Sequence, residues 1–142
     1  MLDLATEGIT FENVVKDGTN PTTGDITING LKFDISENKG KDLPDTQNSL
    51  KVINLGGQVS KTKNFVKFTT TKAASVTVMF FNNNDDRHAK IISENDSTGQ
   101  TGTEATTADK EVKTTTFTLS DAGTYYLGGD NGIYITKITI TL

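Results

Sequence analysis

Apolar residues recur at every second position through much of the chain. Ile9-Thr10-Phe11, Ile26-Thr27-Ile28, Leu31-Lys32-Phe33-Asp34-Ile35, Val76-Thr77-Val78-Met79-Phe80, Phe117-Thr118-Leu119 and Ile138-Thr139-Ile140-Thr141-Leu142 place apolar side chains on one face and mostly Thr or Lys on the other. Period two with a wet outer face is the signature of half-buried antiparallel strands, and the branched Thr side chain favours the extended backbone. No segment shows the apolar stripe of a helix: Thr103 to Val112 tolerates helix but has no such stripe, and reads as loop. Turn signals interrupt the runs at Asp17-Gly18, Asn29-Gly30, Gly56-Gly57, Asn82 to Asp86, Ser97-Thr98-Gly99, Gly128-Gly129 and Asn131-Gly132. Asn29-Gly30 between Ile28 and Leu31 predicts a two-residue hairpin, where both central residues need positive φ. Residues 36 to 49 and 95 to 110 are polar and predict long surface loops. The expected fold is all-β: an antiparallel β-sandwich, jelly-roll-like, of about ten strands, forming a single domain over residues 1–142.

The last run contains an irregularity. Ile133 and Ile135 alternate on odd numbers, whereas Ile138, Ile140 and Leu142 alternate on even ones, so the phase slips at Thr136-Lys137. A strand whose core face must stay buried can absorb a one-residue slip only through a bulge or a change of sheet. Such a bulge either re-aims a side chain beside a site or simply turns a corner with Lys137 solvated.

Composition narrows the chemistry. The 142 residues include 25 Thr, 12 Asn and 13 Gly, but no Cys, no Trp, one His and one Arg. Without Cys there are no disulfides, thiolate nucleophiles or Cys-ligated metals, and His88 is left as the sole imidazole. A formal net charge of −4 does not favour a phosphate-backbone binder, so no nucleic-acid partner is expected. The apolar runs are far shorter than the ~20 residues of a spanning helix, and no membrane partner is expected. Residues 1 to 20 carry Asp3, Glu7, Glu12 and Asp17 with no basic or apolar leader region, which fits either a cytosolic protein or a domain of a longer secreted chain.

Among the 18 acidic residues nothing singles out a catalytic pair, and no catalytic residue is expected. Asp85, Asp86, Asp130 and Asn131 could supply hard oxygen ligands to a structural Ca²⁺, although no EF-hand spacing is present, and the plainer reading is polar turns. His88 reads as a surface histidine. In the run Arg87-His-Ala-Lys-Ile-Ile, alternation sets Arg87, Ala89 and Ile91 on one face and His88, Lys90 and Ile92 on the other. Arg87 can pair two-point with a carboxylate as Lys cannot, either on a ligand or on a nearby loop acid. Without Trp, and with only Tyr125, Tyr126 and Tyr134, the broad aromatic platform that stacks on neutral glucans is not expected. An anionic glycan held by Lys and Arg fits better.

Several segments resemble a known family. Leu55-Gly56-Gly57, Phe65-Val66-Lys67-Phe68, Ala74-Ser75-Val76-Thr77-Val78 and Asp86-Arg87, with Ala122-Gly123-Thr124-Tyr125-Tyr126-Leu127-Gly128 and Gly132 to Ile138, resemble the β-sandwich modules appended to bacterial pectate lyases. Within that group the chain looks most like family 77 of the carbohydrate-binding modules, over about residues 24–142. The resemblance implies a non-catalytic module that holds galacturonate carboxylates of low-ester homogalacturonan through basic residues and targets an appended enzyme to plant cell walls. The basic positions in matching segments are Lys67, Arg87 and Lys137, with Lys90 a fourth and Lys72 at a turn. The terminal segment departs from the family pattern at Tyr134, Thr136 and Lys137, where Asn and consecutive Tyr are usual, and that bears on ligand choice.

The expectation is therefore a secreted, monomeric binding module whose partners are an acidic polysaccharide and an appended catalytic domain such as a pectate lyase. No cofactor is expected beyond the Ca²⁺ considered above. Each exposed contact contributes about 0.2–1 kcal/mol, and screening beyond about 8–10 Å lets a local basic patch act on an acidic chain. The alternative is a structural or adhesion sandwich of a bacterial surface or cellulosomal protein that binds another protein, with basic residues scattered over both sheets. A small lyase ranks last.

Overall fold

A computed structural model describes residues 2–4, 9–15, 25–28, 31–34 and 45–142, the first four segments as strand backbone alone. Its strands are β1 (Leu2–Leu4), β2 (Ile9–Val15), β3 (Asp25–Ile28), β4 (Leu31–Asp34), β5 (Asp45–Gln47), β6 (Leu50–Leu55) and β7 (Phe65–Thr70). They continue as β8 (Ala74–Phe81), β9 (His88–Ser93), β10 (Asp96–Ala105), β11 (Lys113–Leu119), β12 (Gly123–Gly129) and β13 (Ile133–Thr141). No helix occurs among the described residues.

The eight strands from β6 onward make the body. One sheet runs β11-β8-β13-β6 and the other β10-β9-β12-β7, all neighbours antiparallel. Every consecutive strand crosses to the opposite sheet except at the β9–β10 hairpin. That is the double Greek key of a jelly roll, as the alternation predicts; the count is eight in the roll rather than about ten. The other five extend the sheets: β5 lies beyond β6, β1 runs parallel to the far half of β13, and β2-β4-β3 lie beyond β7. Ile28 stands opposite Leu31, the register of a two-residue hairpin; Asn29, Gly30 and the Asp17-Gly18 turn lie outside the described residues.

The core forms because the inward positions of both sheets are apolar. Val76, Val78, Phe80, Phe117, Ile135, Ile138 and Ile140 from one sheet meet Val66, Phe68, Ala89, Ile91, Tyr125 and Leu127 from the other in one buried cluster. Tyr125 also donates its hydroxyl to the Asp121 carbonyl at 2.6 Å, a tyrosine corner fixing the β11–β12 turn. The phase slip is a bulge: β13 and β8 pair Ile135 with Phe80 and Lys137 with Met79, leaving Thr136 extra. Thr136 Oγ1 donates to the Met79 carbonyl at 3.1 Å. The bulge sits where β13 exchanges β6 for β1 as its second neighbour.

Two loop expectations are corrected. Residues 96–105 are strand β10, and Asp45–Gln47 are strand β5, while residues 36–44 lie outside the described residues. β10 escapes an alternation test because it is an edge strand with two register shifts against β9. Its half-buried positions are Gly99, Gly102 and Ala105, three residues apart and too small to register as apolar.

Candidate functional site

Alternation in β7, β12 and β9 sends every second side chain out of the seven-stranded sheet. Val66 and Phe68 are fully buried in the core, so Lys67 faces outward, as the sequence implies. Lys67 stands opposite Tyr126, and Tyr126 opposite Ile92; two residues along, Lys90 stands opposite Gly128. This outer face is not simply wet. Phe65, Ile92, Tyr126 and Val59 form a second buried cluster, in which the Phe65 and Tyr126 rings meet edge-to-face at 5.1 Å. Lys67 Nζ lies 5.8 Å from the centre of the Tyr126 ring, within cation–π range.

The cover over this cluster is residues 56–64, which cross from β6 to β7. Val59 N donates to the Gly129 carbonyl at 2.8 Å, and Asn64 Nδ2 to the Gln58 carbonyl at 3.3 Å. At the other end Lys61 Nζ donates to the Glu94 carbonyl, and Tyr126 donates its hydroxyl to the Glu94 carboxylate. Lys61 thus joins Lys67 and Lys90 on one face of an acidic chain, and exposed Lys63 lies in the segment that covers it. Glu94, an acid beside them, is engaged by Tyr126, and the irregular register of β2 sets Glu12 and Asn13 opposite Lys67 along the backbone. Lys61 and Lys63 were legible only as the run Lys61-Thr-Lys63 just before Phe65, which lacks the strand context that singles out Lys67.

The remaining basic candidates lie elsewhere, and Lys67, Arg87 and Lys137 do not share one face. Lys137, between bulged Thr136 and buried Ile138, projects from the outer face of the six-stranded sheet. Arg87 points inward, in phase with Ala89 and Ile91, and donates from Nη1 to the Gly132 carbonyl at 2.9 Å. A Cβ at Gly132 would lie 3.2 Å from that same nitrogen, so a side chain there would crowd the contact. The guanidinium binds a carbonyl within the fold rather than an acid on the surface.

His88 is not a plain surface histidine. Its side chain is 23% exposed, Nδ1 lies 2.7 Å from Asp130 Oδ2, and Nε2 is 3.7 Å from Asp86 Oδ1. The His88 amide donates to the other Asp130 oxygen at 2.8 Å, while Asp85 Oδ1 accepts the Ala108 amide at 2.7 Å. The acids considered for Ca²⁺ are engaged in joining the loops of residues 82–87, 106–112 and 130–132. No group of three or more acidic or imidazole side chains among the described residues is placed to hold a metal. No family model matches the chain, and no curated protein matches it.

Proposed function

We propose that the chain is a non-catalytic carbohydrate-binding module for an acidic plant polysaccharide such as low-ester homogalacturonan. The observation that carries this reading is the grouping of Lys67, Lys90 and Lys61 on the outer face of the seven-stranded sheet, with exposed Lys63 in the segment that covers it. Lys67 and Lys90 stand on the two strands that flank β12, Lys67 near the Tyr126 ring, and Lys61 is tied to the β9 side of the sheet through the Glu94 carbonyl. Galacturonate carboxylates repeat along a chain, so several weak contacts act together. Three contacts of about 0.2–1 kcal/mol each correspond to a loss of about 3- to 150-fold when all are removed. Secretion as part of a larger protein and delivery of an appended pectinase belong to the same reading.

A second reading, an adhesion or structural sandwich with a protein partner, draws on Lys137 and Arg87: one occupies the opposite sheet and the other serves an internal carbonyl. Affinity electrophoresis in gels containing de-esterified or methyl-esterified homogalacturonan separates the two. Retardation by the de-esterified polymer, weakened about tenfold in Lys63→Ala/Lys67→Ala/Lys90→Ala and unchanged in Lys137→Ala, is the expected result. Absence of retardation, or an equal loss in Lys137→Ala, would sink the lysine-face reading and favour the protein partner.

A further inference from the structure

The sandwich is open along one side, where edge strand β10 of one sheet faces edge strand β11 of the other. Gly102 of β10 lies against Thr115 of β11 with no side chain of its own, so the gap there is not closed. Two clefts result, of about 250 and 270 Å³, and Gln100 lines both. Its Nε2 donates to the Thr118 carbonyl at 3.0 Å where the two meet. They form one trough along the length of the edge.

The lining has a definite chemistry. Toward the β9–β10 turn the trough presents the carboxylates of Asp96 and Asp121 beside Ser93 and Ser120. Toward the other end it presents Thr103, Glu104 and Thr114. The floor there contains Thr115, 7% exposed, whose Oγ1 is buried without a hydrogen-bond partner among the described residues. Gly102 lies directly against it, since a Cβ at that glycine would come within 2.5 Å of Thr115 Cγ2. A buried hydroxyl left unpaired is unfavourable, and Thr115 lines the cleft where this one lies. Neither cleft is lined by Lys or Arg. Carboxylates without cations repel an anionic ligand but accept hydrogen bonds from neighbouring sugar hydroxyls, and threonine hydroxyls both donate and accept.

We infer that the β10–β11 trough is a second binding site, for a neutral, hydroxyl-rich glycan chain, independent of the lysine face. Glu104 and Asp121 accept from hydroxyls near its two ends, and Gln100 separates two subsites.

The test runs the full chain in native gels containing xyloglucan, galactomannan or mixed-linkage β-glucan, with calorimetry on whichever polymer retards it. Expected is retardation by at least one of them, weakened at least tenfold in Glu104→Gln/Asp121→Asn. Thr103→Arg, which places a cation and bulk at the trough mouth, is expected to have the same effect. Both variants keep the Asp121 carbonyl that anchors Tyr125, and near-ultraviolet circular dichroism checks that the fold is retained. Retention must persist in Lys67→Ala/Lys90→Ala, so failure of the lysine-face reading leaves this result standing, and the reverse. The inference is overturned if none of the three polymers retards the chain, or if both trough variants bind as the wild type does. It is equally overturned if sedimentation shows a dimer that the trough variants dissociate, which would assign the edge to a second copy of the chain.

Discussion

Strands β12 and β8 occupy comparable central places in their sheets, yet they are buried differently. β8 alternates, with Ala74, Val76, Val78 and Phe80 inside and Ser75, Thr77 and Met79 half exposed on the outer face. β12 is buried at five successive positions, Tyr125 to Gly129. Toward β11 the outer face of the six-stranded sheet is a threonine surface, in which Thr77 and Thr116 share a 3.0 Å hydroxyl contact, whereas toward β6 it is buried at Val52, Asn54 and Phe81. The outer face of the seven-stranded sheet is roofed by residues 56–64. A sheet face that acquires a cover becomes a second small core, and charged groups at its margin become fixed in position. Threonines on the open part of the other face make exposed contacts that are individually weak.

The sharpest break of this contrast uses one outward residue from each sheet. Tyr126→Ala removes a ring that is 5% exposed and packed on Phe65, and should cost about 3–4 kcal/mol, in the range for deleting a large buried side chain. Thr77→Ala should stay within about 0.5 kcal/mol. Urea unfolding of the two variants measures both. Equal costs would mean that the loop does not act as a cover.

A smaller effect follows from how closely the loop approaches. A Cβ on Gly128 would sit 2.5 Å from the Asn64 carbonyl oxygen and 2.8 Å from Val59 Cβ, so the backbone must move to admit one. Gly128→Ala should destabilise by about 1–3 kcal/mol, as overpacking does, and should speed amide exchange at Val59, whose N–H bonds to Gly129. Unaltered exchange at Val59 would show that the approach is looser than described.

The alternation of apolar residues was enough to place β8, β11 and β13 of the roll and their inward sides. It also located the bulge at Thr136-Lys137, because a phase slip is visible in a single strand. It could not place Lys67 and Lys137 relative to each other. Both stand beside a core residue and read alike locally, but β7 belongs to one sheet and β13 to the other, and that assignment is made by pairings distant in sequence. Arg87 shows the same limit from the other side: its phase with Ala89 and Ile91 was legible, but not that this face is inward, and its partner, the Gly132 carbonyl, is 45 residues away in sequence. The trough escaped because its strand is marked by small residues rather than apolar ones.

Tyr125 and Tyr126 bring the contrast down to adjacent residues on the two faces of β12. Tyr126 serves the roof, whereas Tyr125 stacks on Phe68 in the main core and ties its hydroxyl to Asp121. Burial, followed by the negative charge of Asp121, raises the Tyr125 phenol above its ordinary value near 10. The folded state therefore prefers the neutral phenol. Its contribution is fully present below the unfolded value and is lost as pH rises through the folded one. Tyr125→Phe removes one hydrogen bond and should cost about 1 kcal/mol at neutral pH. Above about pH 10 the difference between wild type and variant should shrink, because only the wild type has a phenol to ionise there. Denaturant midpoints measured from pH 7 to pH 11 test this, and a gap that stays constant across that range would show that the Tyr125 hydroxyl is not held neutral by the core.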